Sequence, residues 1–207
     1  MIAVFVLIAY LLGSIPNSVW IGKFFYNIDV REFGSGNAGA TNTFRVLGKK
    51  AGIPVLIFDI LKGTLAVALS YFSGFDTGSN EFIDLQLGLG ISALIGHIFP
   101  VFAGFRGGKG VATILGIVVC ILPLACALGL AVFLLVLISS RIVSLSSMIA
   151  GISFPIFVNL VLGNTNPILT VFSIIVATLL IITHRKNIQR LLKKEESKVH
   201  LFPVKNK

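Results

Sequence analysis

Apolar runs of bilayer length recur along this chain and leave it few ways to fold. They cover residues 2–25, 53–72, 85–105, 111–140, 142–162 and 167–183. A helix needs about 20 such residues to cross a membrane. Composition agrees: of 207 residues, 56% are hydrophobic and 12% charged, with mean hydropathy +0.98. Soluble domains carry about 25% charged residues. The expected class is all-α, a polytopic membrane protein forming one domain over 1–207, with no room for a separate soluble domain. No basic residue precedes Lys23, so the start lacks the charged opening of a cleaved signal peptide. Cys120 and Cys126 share one apolar run without a C-x-x-C pattern and read as small hydrophobes.

The polar segments between the runs set the expected topology. Segment 23–50 holds Lys23, Arg31, Arg45, Lys49 and Lys50, whereas 73–84 holds only the acids Asp76, Glu81 and Asp84. Arg106 and Lys109 follow the third run, Arg141 the fourth, and 163–166 is uncharged. Six spans with the N-terminus outside would leave Arg141 and the basic tail outside too, against the bias of Lys and Arg toward the cytoplasm. Splitting 111–140 at Pro123, where a helix loses a hydrogen bond, repairs this. Seven helices are therefore expected, two of them short, with the N-terminus outside and the C-terminus cytoplasmic. The net charge of +9 then belongs to loops facing anionic headgroups, not to a nucleic-acid partner.

On this topology every polar motif falls at the cytoplasmic ends. The segment "REFGSGNAGATNTFRVLGKKAG", 31–52, is read as a Gly-rich, hydroxyl-rich, basic loop. Gly34, Gly36 and Gly39 match G-x-G-x-x-G, but a dinucleotide fold needs a preceding strand and a βαβ unit, which two flanking membrane spans exclude. What survives is the physics of glycine: successive backbone N–H groups can form a nest for an anion. Ser35, Asn37, Thr41 and Asn42 add donors, and Arg45 can grip a phosphate. A plain flexible linker, the bland alternative, has no need of Asn, Thr and Arg packed so closely. In "GFRGGKGVAT", 104–113, the Walker A spacing fails, yet Lys109 between glycines at the start of a short helix reads as a phosphate contact. The bland reading there is a tight turn with an orienting Lys.

Other polar residues carry two readings each. Asp59 and Lys62 stand one helical turn apart inside the second span and are expected to pair facing inward, as structure or as part of a substrate path. His97, two turns from the inner face, and His184, at the start of the tail, are proton carriers or hydrogen-bonded structural residues. Ser144, Ser146 and Ser147 open the sixth helix as caps or as site residues. In "HRKNIQRLLKK", Ile188, Leu191 and Leu192 share a face that would lie along the headgroups. None of His97, His184 and His200 is followed by Asp five positions later, so the H-x-x-x-x-D signature of thioester-dependent glycerolipid acyltransferases is missing. No zinc pattern and no G-x-S-x-G elbow appears.

Taken together, "GSIPNS" (13–18), "GSGNAGATNTFRVLGKKAG" (34–52), "FDILKG" (58–63), "GHIFPVFAGFRGGKGVAT" (96–113), "SLSS" (144–147) and "HRKNIQRL" (184–191) resemble one family closely. It is the PlsY family, the bacterial membrane-integral glycerol-3-phosphate acyltransferases that use acyl-phosphate. The resemblance implies transfer of a fatty acyl group to the sn-1 hydroxyl of glycerol 3-phosphate, giving lysophosphatidic acid and phosphate. It also implies the bacterial inner (cytoplasmic) membrane, an active site on its cytoplasmic face, and no metal or cofactor. By similarity Ser35, Gly36, Asn37, Thr41 and Asn42 cradle the acyl-phosphate, while Arg45, Lys109, Ser144, His184 and Asn187 contact glycerol 3-phosphate. The candidate catalytic set is Ser35, Asn37, His97, Lys109 and His184. The base is His97, His184 or the donor's own phosphate; in sequence, no Asp or Glu neighbours either histidine and no base neighbours Ser35. The rival class is a transporter or flippase for a phosphorylated metabolite. Against it, the motifs gather at one face and no internal repeat is visible.

Overall fold

A computed structural model describes residues 1–199. His200 and the last lysines of the basic tail lie outside the described residues. Within 1–199 the ordered elements are all helical. The chain divides into two compact units, 1–123 and 124–207 by sequence.

The first unit opens with α1 (Ile2–Gly13) and α2 (Asn17–Tyr26). The first apolar run is therefore two helices, bent by 42°. Pro16 cannot donate to the ladder and stops α1 from continuing. Next come a 3-10 turn, Val30–Glu32, and a short helix α3 (Ala40–Leu47). The segment expected as a loop thus contains a helix, and Lys49 and Lys50 already belong to α4 (Lys49–Ala68). α5 (Asn80–Ile98) and α6 (Val111–Ile121) complete the unit.

Small residues let these helices approach backbone to backbone. A Cβ on Gly116 would collide with the carbonyl of Ile60, and one on Gly63 with that of Thr113, so α4 and α6 lie in contact. Gly13 meets Ala93, and Gly96 meets Tyr10, in the same way between α1 and α5. Lipid tails are as apolar as Leu, so close packing replaces the hydrophobic drive as the source of helix association. Phe44 of α3 lies over Gly52, which seats the short helix on α4.

The second unit holds α7 (Pro123–Ser140), α8 (Val143–Ile156) with a π-helical turn Phe157–Val161, α9 (Pro167–Thr183) and α10 (Arg185–Leu192). The expected break at Pro123 is present, with the proline as the first residue of α7, where its missing N–H costs nothing. α10 bends 58° from α9. Asn166 caps α9, its side chain accepting from Ile168 N and Leu169 N.

Among the described residues, four helices are long and apolar enough to cross a membrane, or up to six if each bent pair is one span; Val111–Ile121 is a shorter apolar helix.

Candidate active site

In the first unit the Gly-rich segment that carries Ser35 is built around one buried amide. Asn42, on the first turn of α3, is 1% exposed. Its Nδ2 donates to the carbonyls of Val30 (2.8 Å) and Phe33 (3.1 Å). Its Oδ1 accepts from Ser35 N (2.8 Å) and Ser35 Oγ (3.1 Å). An Asn side chain has two donor hydrogens and two lone pairs, so all of them are used inside the protein. Asn42 thus shapes the loop that carries Ser35. Gly34 and Gly36 take φ of +62° and +71°, which L side chains rarely adopt. A Cβ on Gly34 would also collide with Asn42 Oδ1. Thr41, by contrast, is exposed at the start of α3, and Asn37 is half-buried near Gly39. The Arg45 side chain is exposed, and its Cδ lies 3.4 Å from where a Gly34 Cβ would stand.

The second Gly-rich segment doubles back on the end of α5. Gly107 N donates to Ile98 O (3.2 Å) and Gly108 N to His97 O (3.1 Å). A side chain on Gly108 would strike the His97 ring and come within 2.8 Å of Ala38 O. The two segments therefore meet at Ala38 and Gly108, with Lys109 the next residue, half-buried, and Gly110 at φ +84° opening α6.

His97 is the penultimate residue of α5 and is 5% exposed. Its Nδ1 lies 3.1 Å from Thr113 Oγ1 and 3.8 Å from Asp59 Oδ1. The carboxylate partner that sequence proximity did not reveal thus comes from α4. Asp59 and Lys62 pair as expected (3.1 Å). Asp59 also accepts from Asn17 Nδ2 (2.9 Å), and Lys62 donates to Ile15 O (2.9 Å), at the break between α1 and α2. Pairing and hydrogen bonds offset the cost of about 2.5–3.5 kcal/mol for each unpaired charge at a lipid-facing helix centre.

The second unit gathers its own polar cluster. Ser144 Oγ (2.8 Å) and Asn187 Nδ2 (2.6 Å) both donate to Glu196 Oε1, and Arg190 Nε donates to Oε2 (2.6 Å). Burial pushes the Glu196 carboxyl up, but the hydrogen bonds from Arg190, Ser144 and Asn187 outweigh it and hold the group below its usual range. Val199 N donates to Arg141 O (2.8 Å), so the segment after α10 runs back to the start of α8. His184 is buried where α9 meets α10, and its Nδ1 lies 2.8 Å from Leu180 O, an acceptor, which fixes the proton on that nitrogen. Ser146 and Ser147 do not cap α8: their hydroxyls bond back to the carbonyls of Ile142 and Val143.

Sequence reasoning missed Arg31, Asn17, Thr113 and Glu196. In sequence Arg31 reads only as one of the charges of segment 23–50, and Glu196 carries no signal of its own. What made them visible was the fold, because their partners come from other elements.

The chain has helices of bilayer length, and the segments between them are shaped by glycine and carry cations. Comparison with known proteins specifies the family. Residues 3–194 match the family model for glycerol-3-phosphate acyltransferase. The glycerol-3-phosphate acyltransferase of Enterococcus faecalis is 46% identical over 205 residues, covering 96% of this chain and 92% of that protein. The Listeria monocytogenes protein of the same name is 48% identical over 193 residues, covering 93% and 94%. Two crystal structures of PlsY, an integral membrane glycerol 3-phosphate acyltransferase, superpose on the chain. The glycerol 3-phosphate form does so with a TM-score of 0.87 at 37% identity, covering 96% of both chains. The lysophosphatidic acid form does so with a TM-score of 0.83 at 36% identity, covering 96% and 95%. The chain belongs to the PlsY family of membrane-integral glycerol-3-phosphate acyltransferases, and the transporter reading gives way to it.

Proposed function

We propose that this protein transfers a fatty acyl group from acyl-phosphate to the sn-1 hydroxyl of glycerol 3-phosphate, releasing lysophosphatidic acid and inorganic phosphate. The observation that carries this reading is the meeting of the two Gly-rich segments at Ala38 and Gly108. It brings Gly108, the neighbour of Lys109, against Ala38 in the loop that carries Ser35. Among the described residues, the N–H groups of residues 37–41 form no hydrogen bond to a protein acceptor, as a nest for phosphate requires. Likeness to PlsY crystallised with glycerol 3-phosphate and with lysophosphatidic acid supports the acceptor and the product.

In this reading Ser35, Gly36, Asn37 and Thr41 cradle the acyl-phosphate head, with Asn42 holding the loop in shape. Lys109 and Arg45 neutralise phosphate charge. Ser144, His184 and Asn187 of the second unit contact glycerol 3-phosphate, and Glu196 orients Ser144 and Asn187. The acceptor hydroxyl oxygen attacks the acyl carbonyl carbon. The bond from that carbon to the phosphate oxygen breaks, and the hydroxyl proton leaves with the phosphate. An acyl-phosphate is a mixed anhydride, so positioning and charge stabilisation suffice. His97 is buried under the loop and engaged with Thr113, which favours the donor's phosphate as the base over His97. The whole chain forms one catalytic domain. It crosses the bacterial cytoplasmic membrane seven times, N-terminus outside, with the active site on the cytoplasmic face where Lys and Arg gather.

Reconstituted into liposomes with palmitoyl phosphate and glycerol 3-phosphate, the protein should form lysophosphatidic acid and phosphate in equal amounts. Incubated with labelled palmitoyl phosphate alone, it should carry no acyl adduct by mass spectrometry. Absence of product overturns the assignment. A kinetically competent adduct on Ser35 overturns direct transfer.

A further inference from the structure

We propose that Arg31, braced by Asp29, is a positioning residue that fixes the Lys109 segment against the Ser35 loop. This rests on the assignment of Lys109 to substrate phosphate. Arg31 sits in the turn Val30–Glu32, which leads directly into the Ser35 loop. Its Nη1 crosses to the other segment and donates to Ala103 O (2.7 Å) and Arg106 O (3.4 Å). Its Nε and Nη2 clasp both carboxylate oxygens of Asp29, at 2.9 and 2.7 Å. Asp29 Oδ1 also accepts from Arg31 N (3.0 Å), and Lys23 Nζ lies 3.3 Å from Oδ2.

Both side chains are largely covered, Arg31 14% exposed and Asp29 11%. The guanidinium therefore faces protein acceptors, not substrate. The same turn is gripped from the other side by Asn42, through the carbonyls of Val30 and Phe33. The carbonyl of Arg31 itself lies 3.4 Å from where a Gly36 Cβ would stand. One short turn thus touches the acyl-phosphate loop on one side and the Lys109 segment on the other.

The carbonyls that Arg31 holds bracket a strained pair. Gly104 and Phe105 have φ of +62° and +59°. For Phe this left-handed conformation persists only where its surroundings over-determine it. The Arg31 fork supplies such a constraint, three residues before Lys109. Hydrogen bonds from Arg31 hold the Asp29 carboxyl well below the usual range against the opposing effect of burial, so the brace stays ionised at neutral pH. Lys at position 31 cannot reproduce a planar fork that spans carboxylate and carbonyl together.

The test uses the purified full-length protein and two readouts. First, hydrogen exchange: Arg31→Lys and Asp29→Asn should raise amide exchange across 104–110, where Gly107 and Gly108 bond to α5, and leave the cores of α4 and α5 unchanged. Second, kinetics: Arg31→Ala should lower kcat/KM about tenfold, as for loss of a charge-assisted contact, with Arg31→Lys in between. In a Lys109→Ala background the Arg31 change should cost no more than about twofold further, because both act through one cation. If Arg31→Ala does not fold, the Lys and Asn variants decide. Unchanged exchange in 104–110, or effects of Arg31 and Lys109 that multiply in full, would overturn the brace. Should the wild type transfer no acyl group, the assigned reaction fails, while the exchange experiment still reads the brace.

Discussion

Lys109 and Arg45 are asked to do the same thing, to place positive charge on phosphate, and each should show it singly. Alanine at either position removes a charge-assisted contact worth about 1.5–3 kcal/mol, so turnover should fall about ten- to hundredfold. The double variant should be worse. Near-normal turnover in both well-folded single variants would remove the cations from the site. Asn42 and Thr41, adjacent in sequence, should separate structure from contact. Asn42→Ala removes the side-chain donor to the Val30 and Phe33 carbonyls, which keep backbone donors from Phe33 N and Gly36 N, and removes the acceptor that holds Ser35, at about 0.5–1.5 kcal/mol for each lost hydrogen bond. It should lower both activity and melting temperature. Thr41→Ala, at an exposed position, should lower activity alone; a matching loss of melting temperature would count against the distinction. The residue types at the site were legible in the motifs, because glycine, amide and cation at close spacing serve few purposes between membrane spans. Which of them touch substrate was not legible. Asn42 and Ser35 carry equally plausible donors in sequence, and only the loop geometry shows that one of them is spent holding the other.

At the scale of elements, the helices that flank the site depend on glycines that admit a neighbouring backbone. Gly116→Val would drive a side chain into the Ile60 carbonyl. Overpacking of this kind costs about 1–3 kcal/mol, so the melting temperature in detergent should fall clearly. Gly129→Ala is the control: nothing lies within 4 Å of its Cβ position in α7, and the change should be neutral or mildly stabilising. An unchanged melting temperature for Gly116→Val would contradict the close approach of α4 and α6. Apolar length and the proline at 123 were enough to anticipate most helices. They did not reveal α3, because Thr41, Asn42 and Thr43 in its first turn have poor helix propensity. It is stabilised by packing, through Phe44 on Gly52. Nor did hydropathy separate α1 from α2, since the break at residues 14–16 is itself apolar enough to hide in a run.

For the whole molecule the basic residues make a claim about sidedness that can be read in cells. In a background lacking Cys120 and Cys126, single cysteines at Ser79 and Thr165 should react with an impermeant thiol reagent added outside. One at Ser197 should not. Labelling of Ser197 in intact cells would contradict a cytoplasmic C-terminus and with it the seven-span arrangement.

The central claim, that this is an acyl-phosphate enzyme, rests on the two Gly-rich segments that meet at Ala38 and Gly108. A nest of a few amides suits one phosphate group. Coenzyme A would need further room for its adenosine and pantetheine, and no segment between the helices is long enough to provide it. Nor does any His stand five residues before an Asp to activate the hydroxyl against a sluggish thioester. The direct measurement is donor choice by the purified protein in detergent or bicelles with glycerol 3-phosphate. Palmitoyl phosphate should yield lysophosphatidic acid and phosphate, and palmitoyl-CoA or an acyl-carrier-protein thioester should yield nothing above background. Comparable rates with palmitoyl-CoA would contradict the account.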